Sequence, residues 1–573
     1  MIIINIIVRE ANEKQVEKVA KKYKISKDII RFLLGRNVSE DLIPLLISKE
    51  VLPLLPNNSI TNVDKAAHLI NSYLIDNNAS IYIFGDYDSD GVNSTYIMYN
   101  ALIELAEALD STVSVNYYLP ERTEGYGLNM DWCKTIVLDN NKTLVITVDN
   151  GITKREEIEY LQANKIEVLV TDHHKPQEGM TPNTLIVDAH LNDTDDINGC
   201  GLCGAAVAYK VIAYLYQDIY QYDFMYVEKY ISHVGIATIT DVMPLTEENI
   251  KFVNNALAYL NEYPYSKRDY WPVTESMYYF AEMNKKSNIK PKDISFGFGP
   301  QINSCGRMGD INVAMNFMLS SNDDELTTHY TKMLSMNDER KLKTKIVASD
   351  IDTPGIQDLA LIAKKENIEG IAGSLASNLC ELYEMPVIIF AENEDDDLLT
   401  GSARCPECLD IQELFRSSDY IESFGGHACA AGVTIKKDNF DKFVKSFNKA
   451  VSKAQVVMPV DDDDTTYVDD ILTTSDINRY TITKYDSVLF FNEFKRPVYY
   501  LDKIQIKGYH LSKNNPDNIC FHIKNGSKEV KLWCWGFRKT FEAMGCPTCV
   551  NIIGSLEVFN GMFVVDIQQI ETV

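Results

Sequence analysis

Long hydrophobic runs are missing from this chain, and so is any surplus of positive charge. Its most apolar stretches, such as Met1-Ile-Ile-Ile-Asn-Ile-Ile-Val8, are far shorter than the ~20 residues needed to cross a bilayer. That amino-terminal stretch has neither a basic flank nor a small-residue cleavage site, so a cytoplasmic protein with no membrane partner is expected. Basic residues number 55 against 82 acidic ones, a net charge of −27. Taken alone, this balance speaks against a nucleic-acid partner, because phosphate contacts come from Lys and Arg. It does not exclude one, since bound cations neutralise carboxylates and a local basic groove suffices. Cysteine is modest at 12 residues, with C-x-x-C pairs at Cys200/Cys203, Cys405/Cys408 and Cys546/Cys549. Each pair lacks a second at finger-like spacing, so reduced thiols are expected before structural zinc or disulfides.

What is present is length and alternation. The 573 residues are enough for several domains. Residues 1–75 read as amphipathic helices broken by Pro53 and Pro56. Residues 76–250 alternate short β-branched runs with helical stretches, the pattern of a parallel α/β sheet. Residues 251–345 are polar and helical, ending in a long connecting helix around Asn337–Lys345. A second α/β unit is expected over 346–456. Over 457–573 the acidic run Asp461–Asp464 reads as a solvated linker. Five or six short strands follow, with Asn-Gly turns at Asn525-Gly526 and Asn560-Gly561. They suggest an OB-type β-barrel whose aromatic residues are mostly core, some of them available to stack on bases.

Three β-type runs end directly in acidic or histidine-bearing segments. Ile81–Gly85 leads into Asp86-Tyr-Asp88-Ser-Asp90-Gly91, Leu144–Val148 into Asp149-Asn-Gly151, and Val168–Thr171 into Asp172-His173-His174. Ligands of parallel sheets sit outside the carboxyl ends of the strands, so these groups should converge on one edge. Two carboxylates about 4 Å apart repel by roughly 4 kcal/mol at an effective dielectric near 20. Such a cluster needs cations, and oxygen donors with some imidazole suit Mg²⁺ or Mn²⁺. Farther along, Asp241 adds a carboxylate before Pro244, and Asn303 and Arg307 lie beside glycines in Phe298–Arg307. Ser402 and Arg404 offer a hydroxyl and a guanidinium for a phosphate. Gly425-Gly426-His427 forms a tight backbone with one imidazole.

Taken in this order, the motifs resemble the DHH family of phosphoesterases and, within it, the RecJ group of single-strand-specific 5′→3′ exonucleases. Arg122-Thr-Glu-Gly-Tyr126-Gly-Leu-Asn129 and Leu202-Cys-Gly-Ala205 also look RecJ-like, and the resemblance covers roughly residues 60–570. Asn150 and Thr240 depart from the expected small residues. The resemblance implies a DHH catalytic domain joined by a long helix to a DHHA1-like domain, with the OB-like barrel after it. It implies two divalent cations, Mn²⁺ or Mg²⁺, held by Asp88, Asp90, Asp149, His173 and Asp241, with Asp86 in direct or indirect contact. Asp149 would bridge the ions, and Asp88, Asp90, Asp149 and His174 would be catalytic, His174 facing the scissile phosphate. Arg122, Tyr126, Asn303, Arg307, Ser402, Arg404, Gly425, Gly426 and His427 would bind the strand and its 5′-phosphate. Single-stranded DNA is the implied substrate, with a role in DNA repair and recombination. A monomer cooperating with a helicase or single-strand-binding protein is expected. Paired cations activate water, so no serine or cysteine nucleophile is required. The alternatives are a DHH phosphodiesterase acting on short oligonucleotides or cyclic dinucleotides, and an inactive replisome scaffold.

Overall fold

The computed structural model describes residues 5–138, 142–191, 201–261, 272–283, 288–355, 359–392, 397–406, 408–426, 428–457, 465–525, 528–559 and 561–573. Cys200, His427, the Asp461–Asp464 run, Gly526 and Asn560 lie outside the described residues. The chain divides into two compact units, one of residues 55–243 and 259–460, the other of 1–54, 244–258 and 461–573.

In the first unit, the strands Ala79–Phe84, Ser114–Tyr118, Lys142–Val148, Glu167–Thr171 and Leu185–Val187 form an all-parallel sheet. Ala79–Phe84 lies between Ser114–Tyr118 and Lys142–Val148, so chain direction across the sheet reverses there. That reversal opens a crevice at the carboxyl ends of Ala79–Phe84 and Lys142–Val148. The strands are continuous apolar runs because helices cover both faces. Trp132, Ile158, Leu161 and Val168 pack in one core cluster on this sheet. The helix Ser89–Ala108 starts at Asp88, whose carboxylate accepts the amides of Asp90 and Gly91.

The helix Asp323–Ser349 is capped by Asn322, which accepts the Glu325 amide, and it leads to a second sheet. There Leu361–Glu366 pairs parallel with Val387–Glu392. Leu398–Arg404, Ala430–Lys436 and Ser423–Gly426 then add antiparallel. Phe390, Leu399, Phe415, Phe443 and Phe447 fill the core beneath it.

In the second unit, the strands Val498–Leu511, Ile519–Asn525, Lys528–Cys534, Met562–Thr572 and Cys549–Phe559 pair in succession. Cys549–Phe559 pairs back onto Val498–Leu511, which closes the ring as an OB-type barrel. Two register shifts bend Val498–Leu511 enough to serve both neighbours. The strand Asn5–Val8 pairs with Thr465–Val468, and Arg36 holds Asp469, so the amino-terminal helices belong to the same unit as the barrel.

Candidate metal centre and phosphate cradle

The crevice at the sheet's reversal holds the acidic strand ends together. His173 Nε2 lies 3.1 Å from Asp149 Oδ1 and 3.6 Å from both Asp90 Oδ2 and Asp241 Oδ2. Asp86, Asp88 and Asp149 form a second donor group, all within 4.8 Å of one another. Asp86, Asp90 and Asp149 are almost fully buried. Asp149 has φ 61°, the left-handed region that side-chain-bearing residues avoid at a cost of roughly 1–3 kcal/mol. Close packing enforces that backbone, since a Cβ on Gly204 would come within 2.7 Å of Asp149 Cβ. Asn150 ties the strand ends by donating to the carbonyls of Phe84 and Val148. Thr240 packs against Gly299, where a Cβ would lie 2.3 Å from its methyl group.

The protein's own groups compensate this charge only in part. Burial, then the neighbouring carboxylates, push Asp149 well above the usual carboxylate range. Asp241 rises for the same reasons, and Asp86 is pushed up to about 8 by burial and Asp88. Asp86 Oδ1 and Asp149 Oδ1 are buried and accept no hydrogen bond. Orphaned, crowded carboxylate oxygens beside an imidazole fit a pair of hard divalent cations. Burial draws the His173 imidazole below its ordinary value, leaving it neutral and able to ligate.

Asp172 behaves differently, although it belongs to the same edge. Its Oδ1 accepts the His173 and His174 amides and sits 2.8 Å from His174 Nδ1, while Oδ2 accepts the Ile152 amide. Burial would raise this carboxyl, but the bonds to His174 hold it below the usual range. Both of its oxygens already accept hydrogen bonds, which favours a role in orienting His174 over one in ligation. Burial would likewise lower His174, yet the hydrogen bond and charge of Asp172 raise it to about 9. Tyr126 donates toward the Asp149 carbonyl, and its hydroxyl lies 3.2 Å from both ring nitrogens of His174.

A cationic cradle adjoins the acidic loop. The helix Gly299–Arg307 packs so closely on it that a Cβ at Gly306 would lie 2.3 Å from the Tyr87 carbonyl. Asn303 Oδ1 accepts the Ser89 amide at 2.7 Å and so positions the loop. The Arg122 guanidinium covers the Tyr87 ring at 4.3 Å. Arg307, Ser402 and Arg404 converge on Gly373, near the start of the helix Ala372–Tyr383. A Cβ there would lie 3.5 Å from Arg404 Nη2, 3.6 Å from Ser402 Oγ and 3.9 Å from Arg307 Nη1. A helix amino terminus with two guanidiniums and a hydroxyl suits a phosphate. Burial, then the charges of Arg122, Arg340 and Arg404, lower Arg307 to about 10. Gly425 and Gly426 lie on the exposed strand Ser423–Gly426. Sequence reasoning missed Gly373, Arg340 and the orienting role of Asp172. It also missed the Gly204 and Ala205 amides, which hold Asp90 at 2.6 and 2.8 Å.

A parallel sheet gathering five aspartates and a histidine at its reversal is joined to a second sheet whose guanidiniums and hydroxyl meet a helix start, an arrangement suited to phosphoester hydrolysis. Two family models match the chain, "DHH family, N-terminal domain" over residues 80–238 and "DHHA1 domain" over 355–453. Among curated proteins the chain is similar to RecJ. It is 29% identical over 402 residues to the single-stranded-DNA-specific exonuclease RecJ of Haemophilus influenzae, covering 65% of this chain and 66% of that one. With the Bacillus subtilis protein of the same name it is 25% identical over 501 residues, covering 83% of this chain and 59% of that one. The fold matches the crystal structure of RecJ in complex with Mn²⁺ from Thermus thermophilus with a TM-score of 0.78. That match has 21% identity and covers 99% of this chain and 80% of that chain.

Proposed function

We propose that this protein is a metal-dependent exonuclease that degrades single-stranded DNA from the 5′ end to nucleotide 5′-monophosphates. The observation that carries this reading is the cluster of buried carboxylates with orphaned oxygens, set beside a cradle of guanidiniums at a helix amino terminus. Asp88, Asp90, Asp149, His173 and Asp241, with Asp86, would hold two divalent cations, Asp149 shared between them. Such ions activate water and offset charge on the phosphoryl group.

The chain's own residues do the rest. His174 bonds Asp172 through Nδ1, and its Nε2 proton, 3.2 Å from the Tyr126 hydroxyl, would turn to a non-bridging oxygen of the scissile phosphate or the departing 3′ oxygen when substrate is bound. Arg307, Arg404, Ser402 and the amides near Gly373 grip a neighbouring phosphate. Cleavage of the P–O3′ bond releases a nucleotide 5′-monophosphate and leaves a fresh 5′-phosphate on the shortened strand. Each turnover therefore regenerates the group that the cradle binds. On the barrel, Trp533 and Trp535 stack at 5.9 Å and Trp535 is exposed, a platform that favours a long strand over a dinucleotide. We place the protein in the cytoplasm as a monomer that works with a helicase or single-strand-binding protein. Among the described residues no helix is long and apolar enough to cross a membrane.

Digestion of 5′- and 3′-labelled single strands, duplex and a dinucleotide, with and without Mn²⁺, tests this. Mononucleotide release from the 5′ end of the long single strand is expected, with chelation and Asp149→Ala each abolishing it while circular dichroism stays unchanged. Preferential cleavage of the dinucleotide would instead favour a short-oligonucleotide phosphodiesterase. Arg404→Ala should erase any preference for 5′-phosphate over 5′-hydroxyl ends, and a preserved preference would remove Arg404 from the anchor.

A further inference from the structure

The barrel carries a second set of metal donors, chemically unlike the first. His510, on the strand Val498–Leu511, pairs in register with Cys520 on Ile519–Asn525. His522 follows Cys520 by two residues and so shares its face of the sheet. Ile519, Phe521 and Ile523, at the alternate positions, are fully buried in the barrel core. One donor atom from each of His510, Cys520 and His522 lies within 4.8 Å of the other two.

The hydrogen bonding around these residues already fits a ligand set. His510 Nδ1 and His522 Nε2 approach to 2.7 Å. The far nitrogen of His522, Nδ1, lies 2.6 Å from Glu529 Oε1. A proton on that nitrogen serves the carboxylate, which leaves the Nε2 lone pair facing His510 and Cys520. A carboxylate behind an imidazole is the arrangement that orients metal-ligating histidines. Trp533, opposite Cys520 in register, packs edge-on to His510 at 5.3 Å, and Cys520 is fully buried. His510 itself is exposed, so a fourth position opens to solvent. Lys531 shares this side of the sheet, and Glu529 offsets its charge.

We propose that His510, Cys520 and His522 form a zinc site on the barrel, with Glu529 orienting His522 and water or an incoming donor in the fourth position. Two imidazoles and a thiolate select a borderline-soft tetrahedral ion, whereas the carboxylate centre selects Mg²⁺ or Mn²⁺. The two sites therefore take different metals from the same solution. A thiol binds zinc as the thiolate, so the Cys520 proton must leave. Binding releases that proton to solvent as the sulfur–zinc bond forms. The site ties two adjacent barrel strands together and needs no nuclease activity.

The test uses the full-length protein, stripped of metal and then supplied with excess Mg²⁺ to fill the carboxylate centre. Titration with Co²⁺, a spectroscopic stand-in for zinc, should give a thiolate-to-cobalt charge-transfer band in the near ultraviolet. The band should saturate at one equivalent and vanish when Zn²⁺ is added. It should be absent in Cys520→Ser and weakened in His510→Ala, an exposed position whose replacement leaves the fold intact. Glu529→Gln should loosen Zn²⁺ about 10–100-fold, and unchanged affinity would strike Glu529 from the site. No band in the wild-type protein, or a full-strength band in Cys520→Ser from thiols such as Cys546 and Cys549, would overturn the assignment.

Discussion

Among the aspartates at the sheet edge, hydrogen bonding to the His174 ring sets Asp172 apart. Asp86 and Asp149 keep buried oxygens without a donor, whereas Asp172 has spent its oxygens on three amides and the His174 ring. Asp172→Asn would leave the orphaned oxygens untouched while turning a hydrogen-bond acceptor toward His174 into a competing donor. A loss of about 10–100-fold in kcat is expected, with little change in KM, because removing a group that orients another typically costs that much. Steady-state kinetics on a labelled single strand would measure it. A rise in KM alone would mean that Asp172 acts on substrate binding instead. The sequence placed Asp172 on the right edge but could not assign its role, because the Ile152 amide reaches it only through the turn that follows Asp149.

At the scale of elements, the candidate phosphate cradle is made by a helix start meeting a strand. Ala372–Tyr383 presents Gly373 to Ser402 and Arg404, which alternate onto one face of Leu398–Arg404, and to Arg307 at the end of Gly299–Arg307. The segment leading into it approaches that last helix so closely that a Cβ at Gly370 would lie 1.8 Å from the Arg307 carbonyl. Gly373 is less confined: an added methyl meets only ordinary contacts, yet it occupies the space a phosphate would use. Gly373→Ala should therefore fold normally and leave the melting temperature unchanged or slightly raised, since alanine favours a helix over glycine by roughly 0.5–1 kcal/mol. At the same time KM for 5′-phosphorylated strands should rise about tenfold, which corresponds to ~1.4 kcal/mol of lost binding. An unaltered KM would place the phosphate elsewhere. The motif around Ser402 and Arg404 was legible in the sequence. Gly373 was not, because a glycine in Gly370-Ile-Ala-Gly373 carries no chemistry until three other segments surround it.

For the whole molecule, acidity and burial combine into a pH dependence. His233 is fully buried, with hydrogen bonds to Asn93 and Thr274 and Tyr96 stacked on it at 4.5 Å. Burial lowers it to about 3, from an ordinary value of 6.5. Between those two values the unfolded chain takes up a proton that the folded one refuses. Stability is therefore complete above pH 6.5 and falls as the pH drops, at up to about 1.4 kcal/mol per pH unit from this group. Urea melts of His233→Gln and the parent from pH 4 to 7 would isolate it. The parent should lose its advantage toward acid, and parallel curves would exclude His233 as the source. The crowded carboxylates oppose this trend, because their raised values favour the protonated folded form, so the comparison with the variant is essential.

The sequence alone determined the parallel α/β sheet, the acidic strand ends and the β-rich carboxyl region, because hydrophobic periodicity and the position of polar residues after each strand are local properties. The closed ring of the barrel and the pairing of Asn5–Val8 with Thr465–Val468 were decided only by tertiary structure. So were the commitment of Asp172 to His174, the convergence of three elements on Gly373, and the meeting of His510 with Cys520 and His522. These depend on turn geometry, packing and strand register, which set distances that local sequence pattern does not encode.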